Sequence, residues 1–321
     1  MKAVTFTGAG GNEVVALQER ADPVPASDEV LVAARFAGVN WSDVMQRQGF
    51  YPPPPGAPAD IPGLEVAGVV AATGPGVRAW KPGDRVFGLV GGGGLADRVV
   101  VHERHVAAVP GNLADDVAAA VPEAYITAHD ALFTQCGLQM GETLLVNGAN
   151  GAVGSAGARL GLAAGARVIA NVRSPETARA LAAEGAIAVT PDDAAARIAE
   201  LGGANVVLEL VGAPNLDLDF GVLALKGRIV IVGHNAGSQA SISLHPLMVK
   251  RASLRGTVLR ARPIEEKAAA VQAFVRSVLP LLAAGRALPE IDRVFPAAEA
   301  ATAFDYLAKP GKTGKILLDF G

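Results

Sequence analysis

Residues 143–165, TLLVNGANGAVGSAGARLGLAAG, constrain the fold more than any other stretch. The apolar run Leu144-Leu145-Val146 is too short for anything but a buried strand. Gly148, Gly151 and Gly154 follow at three-residue spacing, and an alanine-rich segment then ends in Gly165. The order is strand, glycine turn, helix, helix stop. A side chain in such a turn would block a phosphate from the backbone N–H groups at the helix N-terminus, where the helix dipole adds partial positive charge. Ala152, Ala156 and Ala163 are small enough to let the helix pack tightly on its strand, and a second apolar run, 167–171, follows directly. Together these elements predict a dinucleotide-binding unit.

The pattern continues downstream. Apolar runs at 144–147, 167–171, 187–190, 206–210, 228–233 and 254–259 read as strands, with helices over 151–164, 175–184, 194–201 and near 216–225. Ser174-Pro175-Glu176 is a helix start, with an N-cap hydroxyl, a proline in the first turn and an acid near the dipole; Gly185 stands at the stop. Strands alternating with helices predict a parallel, doubly wound sheet. The first part of the chain is different. Runs at 30–34, 66–71, 85–90 and 99–101, separated by glycine and proline clusters, read as β-rich. Within it, residues 91–94 form a glycine run suited to a turn or a mobile lid. After 259, a helix over 263–284 and short strands near 291–295 and 315–320 are too little for a domain and are expected to fold back onto the first. The predicted fold class is therefore α/β, with one domain from 1–122 and 260–321 and a dinucleotide-binding domain, 123–259, inserted in it.

A length of 321 residues suffices for two cores, and the composition, half hydrophobic and 18% charged, is that of a globular chain. A net charge of −3 gives no general attraction to nucleic acid or to an anionic membrane. No apolar run approaches the ~20 residues of a spanning helix, and no signal segment follows Lys2, so a cytoplasmic protein is expected. The single cysteine, Cys136, excludes an internal disulfide and a multi-cysteine zinc site.

Several motifs together carry a resemblance. Ala37-Gly38-Val39-Asn40 with Asp43 and Arg47, Gly49-Phe50-Tyr51-Pro52, residues 62–70 (PGLEVAGVV), Lys81-Pro82-Gly83-Asp84-Arg85-Val86, residues 147–154 (NGANGAVG) and Lys312-Thr313-Gly314-Lys315 are similar to segments of the zinc-independent quinone oxidoreductases. These belong to the medium-chain dehydrogenase/reductase superfamily. The resemblance implies a GroES-like β-barrel domain, split in sequence, around a Rossmann domain, and a homodimer. It also implies NADPH as cofactor and a small-molecule acceptor, either a quinone or an α,β-unsaturated carbonyl.

The zinc enzymes of this superfamily carry a cysteine where this chain has Asn40 and a histidine where it has Leu64. Leucine cannot ligate a metal and an amide ligates zinc poorly, so no zinc is expected. His102 and His105 are read as solvated loop residues. The resemblance places Asn40 and Tyr51 beside the nicotinamide and substrate, as donors to oxygen charge developing during hydride transfer. Asp43 and Arg47 are read as a structural pair. For the cofactor, the family pattern points to Thr127, to Asn150, Gly151, Ala152 and Val153 in the glycine turn, and to Lys312 or Lys315 as an added charge. Gly233 and Asn235 follow a strand end, where ligands bind in such sheets. The run 167–174 (RVIANVRS) ends without the acid that holds the ribose hydroxyls of NAD; Arg173 and Ser174 can instead pair with a 2′-phosphate. The alternatives are an enoyl or 2-alkenal reductase on the same fold and a nucleotide-binding protein without turnover.

Overall fold

Strands that bury alternate residues build the first of two compact units, Met1–Ile126 with Leu259–Gly321, in a computed structural model that describes residues 1–321. Its strands are β1 (Lys2–Phe6), β2 (Val15–Glu19), β3 (Glu29–Ala33), β4 (Phe36–Val39), β5 (Glu65–Thr73), β6 (Arg85–Leu89), β7 (Arg98–His102) and β8 (Val106–Ala108). Five of them form an antiparallel sheet in the order β7-β3-β5-β6-β8. Val30, Val32, Val66, Val70, Val86, Val99 and Val101 make its core, the period-two pattern of a sheet with one covered face. The glycine run is a packed turn rather than a lid: Gly92, Gly93 and Gly94 are buried, and Gly93 N donates to Ile61 O at 2.8 Å.

The second unit is Thr127–Val258. Its strands β9 (Thr143–Asn147), β10 (Arg167–Asn171), β11 (Ile187–Val189), β12 (Ala204–Glu209), β13 (Leu223–Ile231) and β14 (Ser253–Gly256) form one parallel sheet in the order β11-β10-β9-β12-β13-β14. The order reverses between β9 and β12, the switch point where doubly wound sheets bind ligands. Helices Ala152–Ala163, Pro175–Ala183, Ala194–Glu200 and Leu216–Val222 stand where the sequence predicts them. The tight approach of the first helix to the sheet depends on glycines rather than on the alanines. A Cβ on Gly157 would lie 2.6 Å from Leu208 Cδ2, and one on Gly161 would lie 2.7 Å from Leu144 Cδ2. Of the alanines Ala152, Ala156 and Ala163, only Ala156 is fully buried.

The tail returns to the first unit as β15 (Ile291–Pro296) and β16 (Lys315–Asp319), in a three-stranded sheet ordered β15-β16-β4. The helix predicted over 263–284 is two, Ile264–Ser277 and Leu279–Ala283; Pro280, in the first turn of the second, lacks the N–H a continuous helix needs. Helices Trp41–Arg47, Leu244–Val249 and Ala300–Ala308 were not predicted, nor were the π-helical turns Pro122–Ile126 and Asp130–Gln135. No helix is long and apolar enough to cross a membrane.

The carboxyl ends of the central strands of the second unit carry a polar row. Asn171, Asn147 and Glu209 lie in register on β10, β9 and β12. Asn171 Nδ2 donates to Asn147 Oδ1 (2.9 Å), and Asn147 Nδ2 donates to Glu209 Oε2 (2.6 Å) and Asp219 Oδ1 (2.7 Å). Glu209 Oε1 accepts the N–H groups of Val211 (2.5 Å) and Gly212 (2.6 Å), which anchors the loop after β12. Burial first, then the charge and hydrogen bonding of Glu209, holds the Asp219 carboxyl well above the ordinary carboxylate range. The folded chain therefore retains a proton that the unfolded chain releases above its ordinary Asp value of 3.8. This contribution is complete below that value and is lost as pH rises through the raised one, with a limiting slope of about 1.4 kcal/mol per pH unit. Asp219→Asn keeps the acceptor for Asn147 and removes the titration. Urea midpoints measured between pH 5 and 8 are expected to fall less steeply with pH in this variant than in wild type; parallel slopes would refute the assignment.

Candidate functional site

In the first unit, β5 and β16 each carry one charged residue inward among apolar neighbours. Glu65 and Lys315 are 1% and 2% exposed, and Lys315 Nζ stands 2.5 Å from Glu65 Oε1. Charges removed from water to this extent persist only when paired and fully hydrogen-bonded. Lys315 Nζ also donates to Asn40 Oδ1 (2.6 Å). Glu65 Oε1 accepts from Asn40 Nδ2 (3.0 Å), and Oε2 accepts the backbone N–H of Glu123 (2.9 Å). Gly38 makes room for the pair, since a Cβ there would collide with Glu65 Oε1 and lie 2.6 Å from Lys315 Cε.

Asn40 is thus half-buried at the end of β4, with Nδ2 directed to Gly38 O (3.3 Å) and Glu65, and Oδ1 to Lys315. It begins the helix Trp41–Arg47, and its N–H donates to Asp43 Oδ2 (2.8 Å). Asp43 Oδ1 accepts from Gly63 N at 2.9 Å. Burial raises the Asp43 carboxyl to about 6, against the pull of these two backbone donors. The expected Asp43–Arg47 pair does not form: Asp43 takes backbone donors, while Arg47 Nη1 donates to Asn12 Oδ1 and stacks its guanidinium 5.6 Å from the Phe304 ring centre.

Tyr51 is half-buried, and its hydroxyl has no hydrogen-bond partner among the described residues. Arg260, buried, lies 4.7 Å over its ring. That arginine is fixed by Tyr51 O (2.9 Å), Gly91 O (2.8 Å) and Gln46 Oε1, and its own carbonyl accepts from Lys267 Nζ at 2.9 Å. Burial raises the Tyr51 phenol above its ordinary value, partly offset by Arg260. Glu123 completes the group. Its carboxyl is pushed up to about 7, by burial first and by Glu65 second, against the opposing charge of Lys315. Glu65, Glu123, Arg260 and Lys267 were not anticipated from the sequence. The available signal was a charge inside an apolar run, as in Leu64-Glu65-Val66, because such a charge must have a partner.

In the second unit the glycine turn stands at the carboxyl end of β9. Gly148 has φ +75°, and Gly151 is the exposed N-cap of helix Ala152–Ala163. A Cβ on Gly151 would meet only Gly148 O, at 3.6 Å, whereas one on Gly154 would collide with that oxygen and lie 2.8 Å from Ala149 Cα. Asn150, Ala152 and Val153 are partly buried around the turn, and Thr127 is buried in the turn Thr127–His129. Arg173 is exposed just past β10, and Ser174 Oγ caps the next helix by accepting from Thr177 N at 3.4 Å. Gly233 lets the backbone pass Leu210 O, 2.8 Å from where its Cβ would be; Asn235 is exposed.

Two expectations, for Lys315 and His105, need correction. Lys315 is not a spare cation for a phosphate, since its ammonium serves Glu65 and Asn40. Lys312 Nζ donates to Lys309 O at 2.7 Å. His105 is not solvated: it is buried, its Nε2 lies 3.0 Å from Ile264 O, and burial lowers it to about 4, so it is neutral at neutral pH. Cys136 is buried, and burial pushes its thiol up to about 11, which leaves it unreactive.

Comparison with known proteins agrees with this arrangement. Residues 26–111 match the alcohol dehydrogenase GroES-like domain, and residues 152–276 match the family described as zinc-binding dehydrogenase. A quinone oxidoreductase of Lama guanicoe is 32% identical over 99% of this chain and 97% of its own. Among solved structures, the quinone oxidoreductase of Thermus thermophilus, also determined in complex with NADPH, covers 100% of both chains at 33% identity and a TM-score of 0.86. An alcohol dehydrogenase superfamily protein from Novosphingobium aromaticivorans covers 100% of both at 31% identity and a TM-score of 0.88. A split β domain around a six-stranded parallel sheet and full-length identity above 30% lead to one conclusion: the chain belongs to the quinone oxidoreductases of the medium-chain dehydrogenase/reductase superfamily.

Proposed function

We propose that this chain is an NADPH-dependent reductase of quinones or of other conjugated carbonyl acceptors, working without zinc and as a homodimer. The observation that carries the reading is the glycine turn at the sheet's switch point, open at Gly151 over the N-terminus of helix Ala152–Ala163. Backbone N–H groups and the helix dipole there suit a pyrophosphate. The reduced nicotinamide supplies hydride when bound. The names of the relatives support the acceptor class, and the NADPH complex of the Thermus enzyme supports the cofactor.

The donor set supports metal-free chemistry. Leu64 is buried and apolar, the Asn40 amide is bonded at both ends, and no three His, Cys, Asp or Glu side chains are gathered as a metal site requires. Quinones and enones need little activation, so one well-placed hydrogen bond suffices where an alcohol would need a Lewis acid. Tyr51 has the unused donor and takes that role; Asn40 holds Lys315 and Glu65 in place. The edge strand β14 and the exposed side chains of Leu244, Met248 and Val249 in the same unit suit contact with a second copy. One buried, unpaired cysteine suits a reducing compartment such as the cytoplasm.

NADPH oxidation measured against quinones, enones and aldehydes, with and without chelator, tests the reading. Turnover with quinones or enones that is indifferent to chelator is expected; no oxidation with any acceptor would leave only nucleotide binding. The two turn glycines should separate. Gly151→Val is expected to fold normally and lose NADPH affinity, whereas Gly154→Val should lose about 1–3 kcal/mol of stability through overpacking, as read by calorimetry beside titration. Tyr51→Phe is expected to lower turnover by up to about 10²-fold with NADPH affinity unchanged; full turnover would remove the hydroxyl from the chemistry. Arg173→Ala should weaken NADPH by about 1.5–3 kcal/mol and leave NADH unaffected, so that fluorescence titration of both cofactors shows the preference collapse.

A further inference from the structure

Glu209 ends β12 and is fully buried. Its Oε1 accepts from Val211 N (2.5 Å) and Gly212 N (2.6 Å), and its Oε2 accepts from Asn147 Nδ2 (2.6 Å) and Asn215 Nδ2 (3.3 Å). A side-chain oxygen that takes the N–H groups two and three residues ahead turns the chain back over the strand end. The loop so formed is held on both flanks. On one, Val211 O accepts from Ala236 N (2.8 Å) and Ala213 N donates to Gly237 O (2.9 Å), which clasps it to the loop after β13. On the other, Val211 Cγ2 lies 3.3 Å from where a Cβ on Gly148 would stand, against the first residue of the glycine turn. One carboxylate thus ties together three loops at the switch point, where a doubly wound sheet takes its ligand. We propose that Glu209 is a positioning residue for the dinucleotide, an inference that rests on the NADPH reading above. Being fully buried, it has no surface to offer a ligand and acts through the loop 210–213.

The role needs a carboxylate and not merely a polar side chain. Both oxygens face donors, so an amide in its place must turn its own NH2 toward one of the two sets. The loop then loses its acceptor, or keeps a neutral carbonyl that holds N–H groups less strongly than a charged oxygen. An aspartate is one methylene shorter, yet it still reaches N–H groups two and three residues ahead, as it does in turns and helix caps. Its shortfall is felt at Asn147 and Asn215 instead. Glu209→Gln therefore loosens the loop, whereas Glu209→Asp keeps the loop and weakens the row. Gly212→Ala moves the same loop from the other side and leaves the charge in place. Gly212 has φ +104°, and an added Cβ would lie 2.5 Å from Gly237 O and 2.6 Å from His234 Cα.

The test follows three quantities in wild type and these variants: NADPH and NADH affinity by fluorescence titration, exchange of the Val211 and Gly212 amides without cofactor, and melting temperature. Glu209→Gln and Gly212→Ala are expected to speed the exchange and weaken both cofactors by about 10-fold to 10²-fold. The loss is shared because the switch point serves the part common to both, unlike the selective loss expected in Arg173→Ala. Glu209→Asp is expected to keep slow exchange and most of the affinity while its melting temperature falls, since it leaves a cavity. Affinity then follows the loop and not the stability. Affinities that fall in step with melting temperature overturn the positioning role. So do unchanged exchange in Glu209→Gln, fast exchange with wild-type affinity, and a loss confined to NADPH. If Glu209→Gln does not fold, Gly212→Ala decides: wild-type affinity with fast exchange overturns the role, and weakened affinity for both cofactors supports it. A wild type that binds neither nucleotide overturns the cofactor reading itself, and the positioning role falls with it.

Discussion

The ion pair of Lys315 with Glu65 is the constraint on which the first unit depends. Each charge is almost wholly removed from water, so each requires its full set of partners. Those partners come from four places in the chain: Gly38 makes room, Asn40 bonds both members, Glu123 offers its N–H, and β16 brings the lysine. Removing one charge alone would strand the other at a cost of about 3–5 kcal/mol. The bond from Lys315 to Asn40 spans 275 residues of sequence. The pair therefore fastens the returning tail into the N-terminal sheets and fixes Asn40, which in turn starts the helix bearing Asp43.

The second unit solves the same problem at the end of its sheet. Polar side chains are not tolerated in the apolar interior of a parallel sheet, but its carboxyl edge can carry them if they satisfy one another. Asn171, Asn147 and Glu209 do so in register, and Asp219 completes the row by remaining protonated. Because Glu209 also holds the N–H groups of Val211 and Gly212, the row fixes the loop after β12 beside the glycine turn at the end of β9. The turn can then remain open at Gly151 while its neighbours are rigid.

Features that depend on a few adjacent residues were legible in the sequence. The glycine turn, the six parallel strands, the N-cap at Ser174 and the stop at Gly185 all follow from local backbone chemistry. Features that depend on distant partners were not. Lys315 reads as a loose cation until β16 is placed against β4 and β5. His105 follows a strand and reads as solvated, yet helix Ile264–Ser277 covers it. The spacing of Asp43 and Arg47 permits a pair on one helix face, but the N-terminal position of Asp43 makes backbone N–H groups the better partners. Helix Trp41–Arg47 has only seven residues, too few for periodicity to show.

The charge arrangement also sets the acids of the group apart from one another. Asp43 is raised only to about 6, since two backbone donors favour its charged form, and it is sealed from solvent. Burial pushes Tyr51 in the same direction: its phenol holds its proton more firmly than usual, and the charge of Arg260 partly offsets this. Glu65 is held by Lys315 and Asn40. Glu123 combines burial, a neighbouring negative charge and two cations that limit the rise. Burial first, and then the buried Glu65, raises the proton affinity of Glu123, and the lysine that makes Glu65 tolerable keeps that affinity from rising further.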